Sequence, residues 1–292
     1  MDSARRENGL ALIAVLGVLA LLTVLALAAS DFVRKRGYSS RAVLDQLQNA
    51  EYADSAIRLA LLEITDPTPN SEPSVPTRLE FEIFGTRVPV EVSWEAGRID
   101  LNSADDALLY AFFASHGWNE TDARMLASRI LDWRDPDDDR SSGGAEANEY
   151  AAQGRAGPRN AGFESPAEVR EVLGLESLSD ALLDGLTVYS HSQDVRAQVA
   201  QPVVIETLKW TRSHRSGNRE WVDVDEHTAM PSTAAGEAIR LRACLKGKAQ
   251  LCRVAILRIT GSRERPALVY AWYSELHMLF GNGFAQTDAP QE

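Results

Sequence analysis

The chain has 292 residues, 25% charged and 45% hydrophobic, which excludes general disorder and collagen-like repetition. Its 30 basic and 42 acidic residues leave a net charge of −12, ill suited to gripping a phosphate backbone as the main task. Two cysteines exclude a disulfide-dense scaffold and any four-cysteine zinc site.

Met1 to Gly9 is short and polar and carries Arg5 and Arg6. Leu10 to Ala29 then runs without a charge, and Thr23 is its one polar residue. A helix of about 20 such residues spans a bilayer core of about 30 Å. The alternative is a secretory signal cut near Ala26-Leu27-Ala28, although its apolar run is usually only about 7–15 residues. Arg5 and Arg6 favour a cytoplasmic N-terminus, whereas Arg34, Lys35, Arg36 and Arg41 vote the other way. Long domains translocate largely regardless of such charges, which weakens the second vote.

The helix continues past the apolar run. From Asp31 to Ile64 there is no proline and only Gly37, and Val43, Leu44, Leu47, Ala50, Ile57, Ala60, Leu61 and Ile64 recur at helical spacing. Asp66-Pro67-Thr68-Pro69 breaks it. Leu10 to Ile64 is thus expected as one helix roughly 80 Å long.

Thr65 to Thr77, with four prolines, reads as a linker. Leu79, Phe81 and Ile83, then Val88, Val90 and Val92, alternate with polar residues around Gly85-Thr86-Arg87. This spacing predicts a β-hairpin, and Pro89 suggests that its second strand is an edge. Residues 98–190 hold 8 basic and 18 acidic residues, a net −10, and read as short helices. Ser103 or Asp105 opens one through Phe113, Asn119 or Thr121 a second through Trp133, Ser165-Pro166 a third, and Ser179 or Asp180 a fourth.

Residues 191–292 are nearly neutral and read as strands: Ile239 to Ala243, Leu251 to Ile259 and Ala267 to Trp272, with a frayed tail from Gln286. Cys244 and Cys252 lie symmetrically about Lys248, so a hairpin there places them opposite one another. An oxidising compartment favours a bridge; the alternative is two free core thiols.

The most informative stretch is Asp132-Trp133-Arg134-Asp135-Pro136-Asp137-Asp138-Asp139, followed by Gly143-Gly144-Ala145-Glu146. Counted from Asp135, carboxylates fall at places one, three, five and twelve: Asp135, Asp137, Asp139 and Glu146. That is the spacing with which a loop wraps calcium, although Arg140 stands where a glycine is usual. Asp132 and Glu149 are further candidate ligands. Magnesium, which takes fewer protein ligands, fits less well. The alternative is a solvated acidic loop. Catalytic signatures are absent: there is no G-x-S-x-G, H-E-x-x-H or P-loop, and the five histidines do not cluster in sequence, so an enzyme is not expected.

The basic leader ending in Gly9, and the apolar run that becomes amphipathic, resemble a type IV pilin or pseudopilin. The resemblance implies cleavage by a prepilin peptidase after Gly9 and N-methylation of Leu10. Ala14 stands where most members carry a glutamate that neutralises a neighbour's N-terminal amine, which suits a subunit at a filament end. Gly97-Arg98-Ile99-Asp100-Leu101-Asn102, Ile130 to Asp135, Gly144-Ala145-Glu146 with Tyr150, Phe163-Glu164-Ser165 with Glu168 and Val169, and Leu186 to Ser190 resemble the minor pseudopilin K family of type II secretion systems.

That resemblance implies an α+β, pilin-like fold, a long N-terminal helix on an antiparallel sheet, with an inserted all-helical domain that binds calcium in its acidic loop. Asp132, Asp135, Asp137, Asp139 and Glu146 are the implied ligands. Ala147 departs from the acidic residue often found there, and no second helical repeat is recognisable after Ser190. The expected division is 1–9 leader, 10–30 membrane half of the helix, 31–97 periplasmic half, linker and first strands, 98–190 helical insert, and 191–292 closing strands. The expected role is a non-enzymatic subunit at the tip of the periplasmic pseudopilus. It would be anchored by one span in the inner membrane, with its N-terminus cytoplasmic. The implied partners are the other minor pseudopilins, the major pseudopilin, the prepilin peptidase, the inner-membrane secretion platform, secreted cargo and the outer-membrane secretin. The alternative is a helix-hairpin-helix DNA-uptake protein, whose phosphate-binding turn would be Ser115 to Asn119; a net −10 argues against nucleic acid.

Overall fold

The computed structural model describes residues 3–65, 78–214, 235–245 and 250–277. The expected linker prolines, the turn at Lys246-Gly247-Lys248 and the tail from Gln286 lie outside the described residues. The chain divides into two compact units, residues 1–52 and residues 53–292.

Helix α1 runs over Ser3–Thr65, because nothing in this stretch stops it: it holds no proline. It starts within the polar leader rather than at Leu10 and contains the expected cleavage site, Gly9 and Leu10. In the first unit, the described apolar side chains of the run, from Leu16 to Leu27, are exposed, as are Val43, Leu44 and Leu47. Only part of the expected span has described side chains, and among the described residues no helix is long and apolar enough to cross a membrane.

The second unit holds a five-stranded antiparallel sheet in the order β1-β2-β5-β6-β7. The strands are β1 Arg78–Ile83, β2 Thr86–Trp94, β5 Ala238–Leu245, β6 Gln250–Ile259 and β7 Ala267–His277. Phe84 and Gly85 join β1 to β2 with positive φ (48° and 78°), as a two-residue hairpin loop requires. The expected edge role of β2 is corrected. From Val90 onward β2 is sandwiched between β1 and β5, and Pro89 is tolerated because its pairing is with Glu80 of β1 while the β5 register begins at Val90.

The sheet has two different faces. Val90, Val92, Trp94, Ile239, Leu241 and Ala243 share one face with Arg253, Ala255 and Trp272. The continuation of α1 buries Ala53, Ala56, Ile57 and Ala60 completely, at i, i+3, i+4 and i+7. The other face carries Arg240, Arg242 and the Cys244–Cys252 disulfide, whose two residues are directly paired across β5 and β6.

Between the neighbouring strands β2 and β5 the chain makes a long excursion. It contains the two-residue parallel strands β3 (Ile99–Asp100) and β4 (Leu186–Thr187) and the helices α2 Asp106–Ser115, α3 Glu120–Arg134, α4 Ala147–Ala152, α5 Asp180–Leu183 and α6 Pro202–Ser213. Side-chain caps set three helix starts: Asp105 accepts from the Leu108 N–H (2.9 Å), Asn119 from Asp122 (2.9 Å) and Ser179 from Leu182 (3.3 Å). Around these helices lies one apolar core that includes Ile99, Leu101, Phe112, Phe113, Ile130, Trp133, Tyr150 and Leu173.

Three expectations change here. The segment 191–292 does not open with strands: α6 packs on α2 and buries Val204 against the helical core, so helical structure extends beyond Ser190. The helix expected at Ser165-Pro166 is a short 3-10 helix of six residues, Pro166–Glu171. Helix α4, directly after the acidic stretch, was not foreseen. In addition, the helical excursion is not a compact unit apart from the sheet.

Candidate metal centre

Helix α3 delivers Asp132, Trp133 and Arg134 at its last turn. Asp135 then adopts an extended conformation (φ −78°, ψ 158°), as the residue before Pro136 is biased to do. Asp132 is fully buried, and Ser141 donates its N–H to the carboxylate, 3.2 Å from Oδ2 and 3.4 Å from Oδ1. Asp137, Asp138 and Asp139 are exposed. Asp137 accepts from the Asp139 N–H at 3.0 Å, and Asp138 from the Asn160 amide at 2.9 Å. The loop then passes beneath the end of α3 at Gly144, where a Cβ would lie 1.8 Å from Asp132 Oδ2. Only glycine permits that approach.

Glu146 caps α4 and is 4% exposed, yet neither of its carboxylate oxygens has a hydrogen-bond partner; Asp135 Oδ1 is also buried without one. Glu149 turns away: its Oε2 accepts from the Glu146 N–H at 3.0 Å, and its Oε1 lies 3.5 Å from Arg140 Nε. Burial pushes the Glu146 carboxyl up to about 7, and Asp132, Asp135, Asp138 and Asp137 add to the rise. Burial also raises Asp135, helped by Asp137 and Asp132, whereas the Glu146 N–H holds Glu149 low.

Among the described residues no three His, Cys, Asp or Glu side chains converge closely enough to hold a metal ion. The candidate ligands therefore separate by role. Asp132, Asp135 and Glu146 sit at the inner side of the loop and feel one another's charge without converging to metal-binding distance, Asp137 and Asp139 face solvent, and Glu149 is engaged with backbone and Arg140. The missed participant is Asp138, whose charge acts on Glu146 and whose side chain fastens Asn160. Only its place in the aspartate run could have signalled it. The buried unpartnered atoms of the loop and of Asn160 beside it are all oxygens, three carboxylate and one amide, which is the chemistry of a hard cation such as calcium.

The other sequence motifs assemble around this loop. Arg134 donates to the carbonyl oxygens of Leu101 and Ala104. Asn102 exchanges hydrogen bonds with the backbone of Phe163 (2.7 and 2.9 Å). Trp133 stacks on Phe163 with ring centres 6.0 Å apart and donates Nε1 to Glu168 Oε1 at 3.2 Å. Asp100 is buried and accepts from Asn102 N, Ser190 Oγ and His191 N at 2.8–3.0 Å. Thus the segments 97–102, 130–135, 163–168 and 186–190 are neighbours in space.

A second charged cluster, not foreseen from the sequence, joins this region to the sheet. Arg240 Nε meets Glu95 Oε1 at 2.8 Å, its Nη1 reaches Asp184 at 3.2 Å, Arg98 reaches Asp184 at 3.4 Å, and Thr187 donates to Glu95. Glu95 is fully buried. Burial alone would raise its carboxyl, but Arg240 and Arg98 outweigh it and hold the group low.

Residues 96–190, which contain the whole acidic loop, match the family described as type II secretion system (T2SS), protein K. No protein with a curated description matches the chain. Among solved structures, the chain is similar to one in the GspK-GspI-GspJ complex of the type 2 secretion system of enterotoxigenic Escherichia coli. The two are 17% identical, with a TM-score of 0.56, over 81% of this chain and 99% of that one. At that identity the likeness speaks for the fold: mixed helix and antiparallel sheet. The resemblance read from the sequence holds over residues 96–190, which match the protein K family of type II secretion systems.

Proposed function

We propose that the protein is a non-enzymatic minor pseudopilin that works at the end of the periplasmic pseudopilus in the export of folded proteins, with calcium held in its acidic loop. The observation that carries this reading is the coincidence of two things in one stretch: the protein K match over residues 96–190, and a loop within it that buries three unpartnered carboxylate oxygens. Calcium would be held by Asp132, Asp135 and Glu146 from the inner side, with Asp137 and Asp139 closing from the solvent side after a local rearrangement. Its charge would offset the mutual repulsion of the loop and fasten α3 to α4. Glu149 is the weakest of the candidate ligands, because its carboxylate already serves the start of α4.

The similar solved chain is described in a complex with GspI and GspJ, which supports other minor pseudopilins as the nearest partners. The major pseudopilin, the secretion platform, the cargo and the secretin follow from the filament reading. The apolar half of α1 would anchor the protein in the inner membrane after a prepilin peptidase has removed residues 1–9 and Leu10 has been methylated. The intact mass of membrane-extracted protein tests this processing. Loss of Met1 to Gly9 plus one methyl group is the expected result; a full-length chain, or a cut near Ala28, overturns it. Calorimetry tests the metal: calcium should release or absorb heat in the parent, and not in a variant carrying Asp137→Ala and Glu146→Ala. Equal heats remove calcium from the account.

A further inference from the structure

The surface of α1 that meets the sheet is nearly featureless. Of its four completely buried apolar residues, Ala53, Ala56 and Ala60 present a single methyl each, and only Ile57 is bulky. Methyl-sized knobs interlock weakly, so apolar packing alone distinguishes poorly between neighbouring rotational settings of the helix. One polar residue lies within this stripe. Asp54 is 8% exposed and meets Arg253 of β6 in a two-pronged pair, 2.7 Å from Nε and 3.0 Å from Nη2. Trp272 of β7 donates its indole N–H to the same carboxylate at 2.8 Å. Arg253 is itself tied to β7 through Ser274 at 2.6 Å, and Arg58, one turn beyond Asp54, lies 5.8 Å from the Trp272 ring centre. Hydrogen bonds to a charged, forked partner are directional in a way that alanine contacts are not. A polar group within an otherwise apolar seam is also a known means of fixing register.

We propose that Asp54 is the positioning residue that sets the rotation of α1 on the sheet, and thereby keeps Leu59 and Leu62, 40% and 60% exposed, turned outward. The clamp is a property of the subunit alone. Its consequence, that the outward apolar side chains are available to sister helices, rests on the pseudopilin reading.

The test uses the full chain in detergent, with spin labels at Leu62→Cys on α1 and Glu82→Cys on β1; the native cysteines are bridged and do not react. A helix turns 100° per residue, so slipping by one position carries a side-chain tip at about 5–6 Å from the axis through about 8 Å. In Asp54→Ala the label-to-label distance should shift by about 5 Å or more, or broaden by that amount, while Asp54→Glu restores a single narrow distance. Trp272→Phe, which removes the N–H donor and trims the ring but leaves the Asp54–Arg253 pair, should give partial broadening, and it carries the test if Asp54→Ala fails to fold. Unchanged distances in folded Asp54→Ala and Trp272→Phe overturn the proposal. Association with co-expressed minor pseudopilins is read separately. If the distances move as expected but the parent itself does not associate, the clamp stands and the pseudopilin reading falls.

Discussion

Glu146 offers the most searching test of the acidic loop. In calcium-free protein its carboxyl is pushed up to about 7 from an ordinary 4.5, chiefly by burial and then by four aspartates. The fold therefore holds the neutral form more tightly than the unfolded chain does. Between pH 4.5 and 7 the native state binds more protons, so stability falls as pH rises through this window. The full penalty is present above pH 7 and absent below 4.5. A shift of this size corresponds to about 3 kcal/mol at pH 8, since one unit is about 1.4 kcal/mol. Glu146→Gln retains the shape and cannot ionise. In excess chelator it should be more stable than the parent at pH 8 by up to about 3 kcal/mol, or roughly 6–12 °C for a unit of this size, and indistinguishable at pH 4. Adding calcium at pH 8 should reverse the order, because the ion stabilises a site with all five carboxylates better than one that has lost a ligand. The assay is a set of melting curves for both proteins across pH, with chelator and with calcium. Parallel pH profiles in chelator would refute the argument that this carboxylate is buried at a cost, and an unreversed order would refute the metal.

Further outcomes follow from the same geometry. Gly144→Ala puts a methyl 1.8 Å from Asp132 Oδ2, so it should lower stability by at least about 2 kcal/mol in denaturant melts and abolish any calcium response. Glu95→Gln leaves the buried Arg240 and Arg98 with only the part-exposed Asp184 as anion and should cost about 3–5 kcal/mol, whereas the paired change Glu95→Leu with Arg240→Met should cost far less; equal losses would count against the cluster as a charge-compensated unit. Trp133→Phe keeps the ring stack on Phe163 but loses the bond to Glu168, for an expected loss of about 1 kcal/mol by chemical denaturation. Replacing both Cys244 and Cys252 with alanine opens a loop with a sequence separation of 8 and should cost about 2.5 kcal/mol if the chain-entropy account holds, read as a lower melting temperature that reductant no longer changes.

Local signals in the chain were sufficient for the elements with a single physical cause. An unbroken run without proline specifies α1, alternation specifies the hairpin although its loop falls at Phe84-Gly85 and not at the expected Gly85-Thr86-Arg87, and Asp105, Asn119 and Ser179 mark helix starts because a short polar side chain satisfies a free N–H there. The same is true of the crowded carboxylates from Asp132 to Glu146, whose repulsion is written in their spacing. It was not legible that Glu146 would be buried with both oxygens unpartnered while Asp137 and Asp139 stayed in solvent. That depends on Gly144 passing against Asp132 and on Trp133 seating the end of α3 in the core.

Long-range pairing decided what no local pattern carries. Pro89 looked like an edge marker until the sheet order placed β2 between β1 and β5. Glu95, Arg98, Asp184 and Arg240 are ordinary surface residues by sequence, and become one cluster, with all but Asp184 buried, because β4 and β5 bring together positions up to 145 residues apart. The single carboxylate of Asp54 is likewise unremarkable in α1 until β6 and β7 present Arg253 and Trp272 to it. Composition and periodicity report what a residue prefers; only the closed tertiary structure determines whose charge it must then answer.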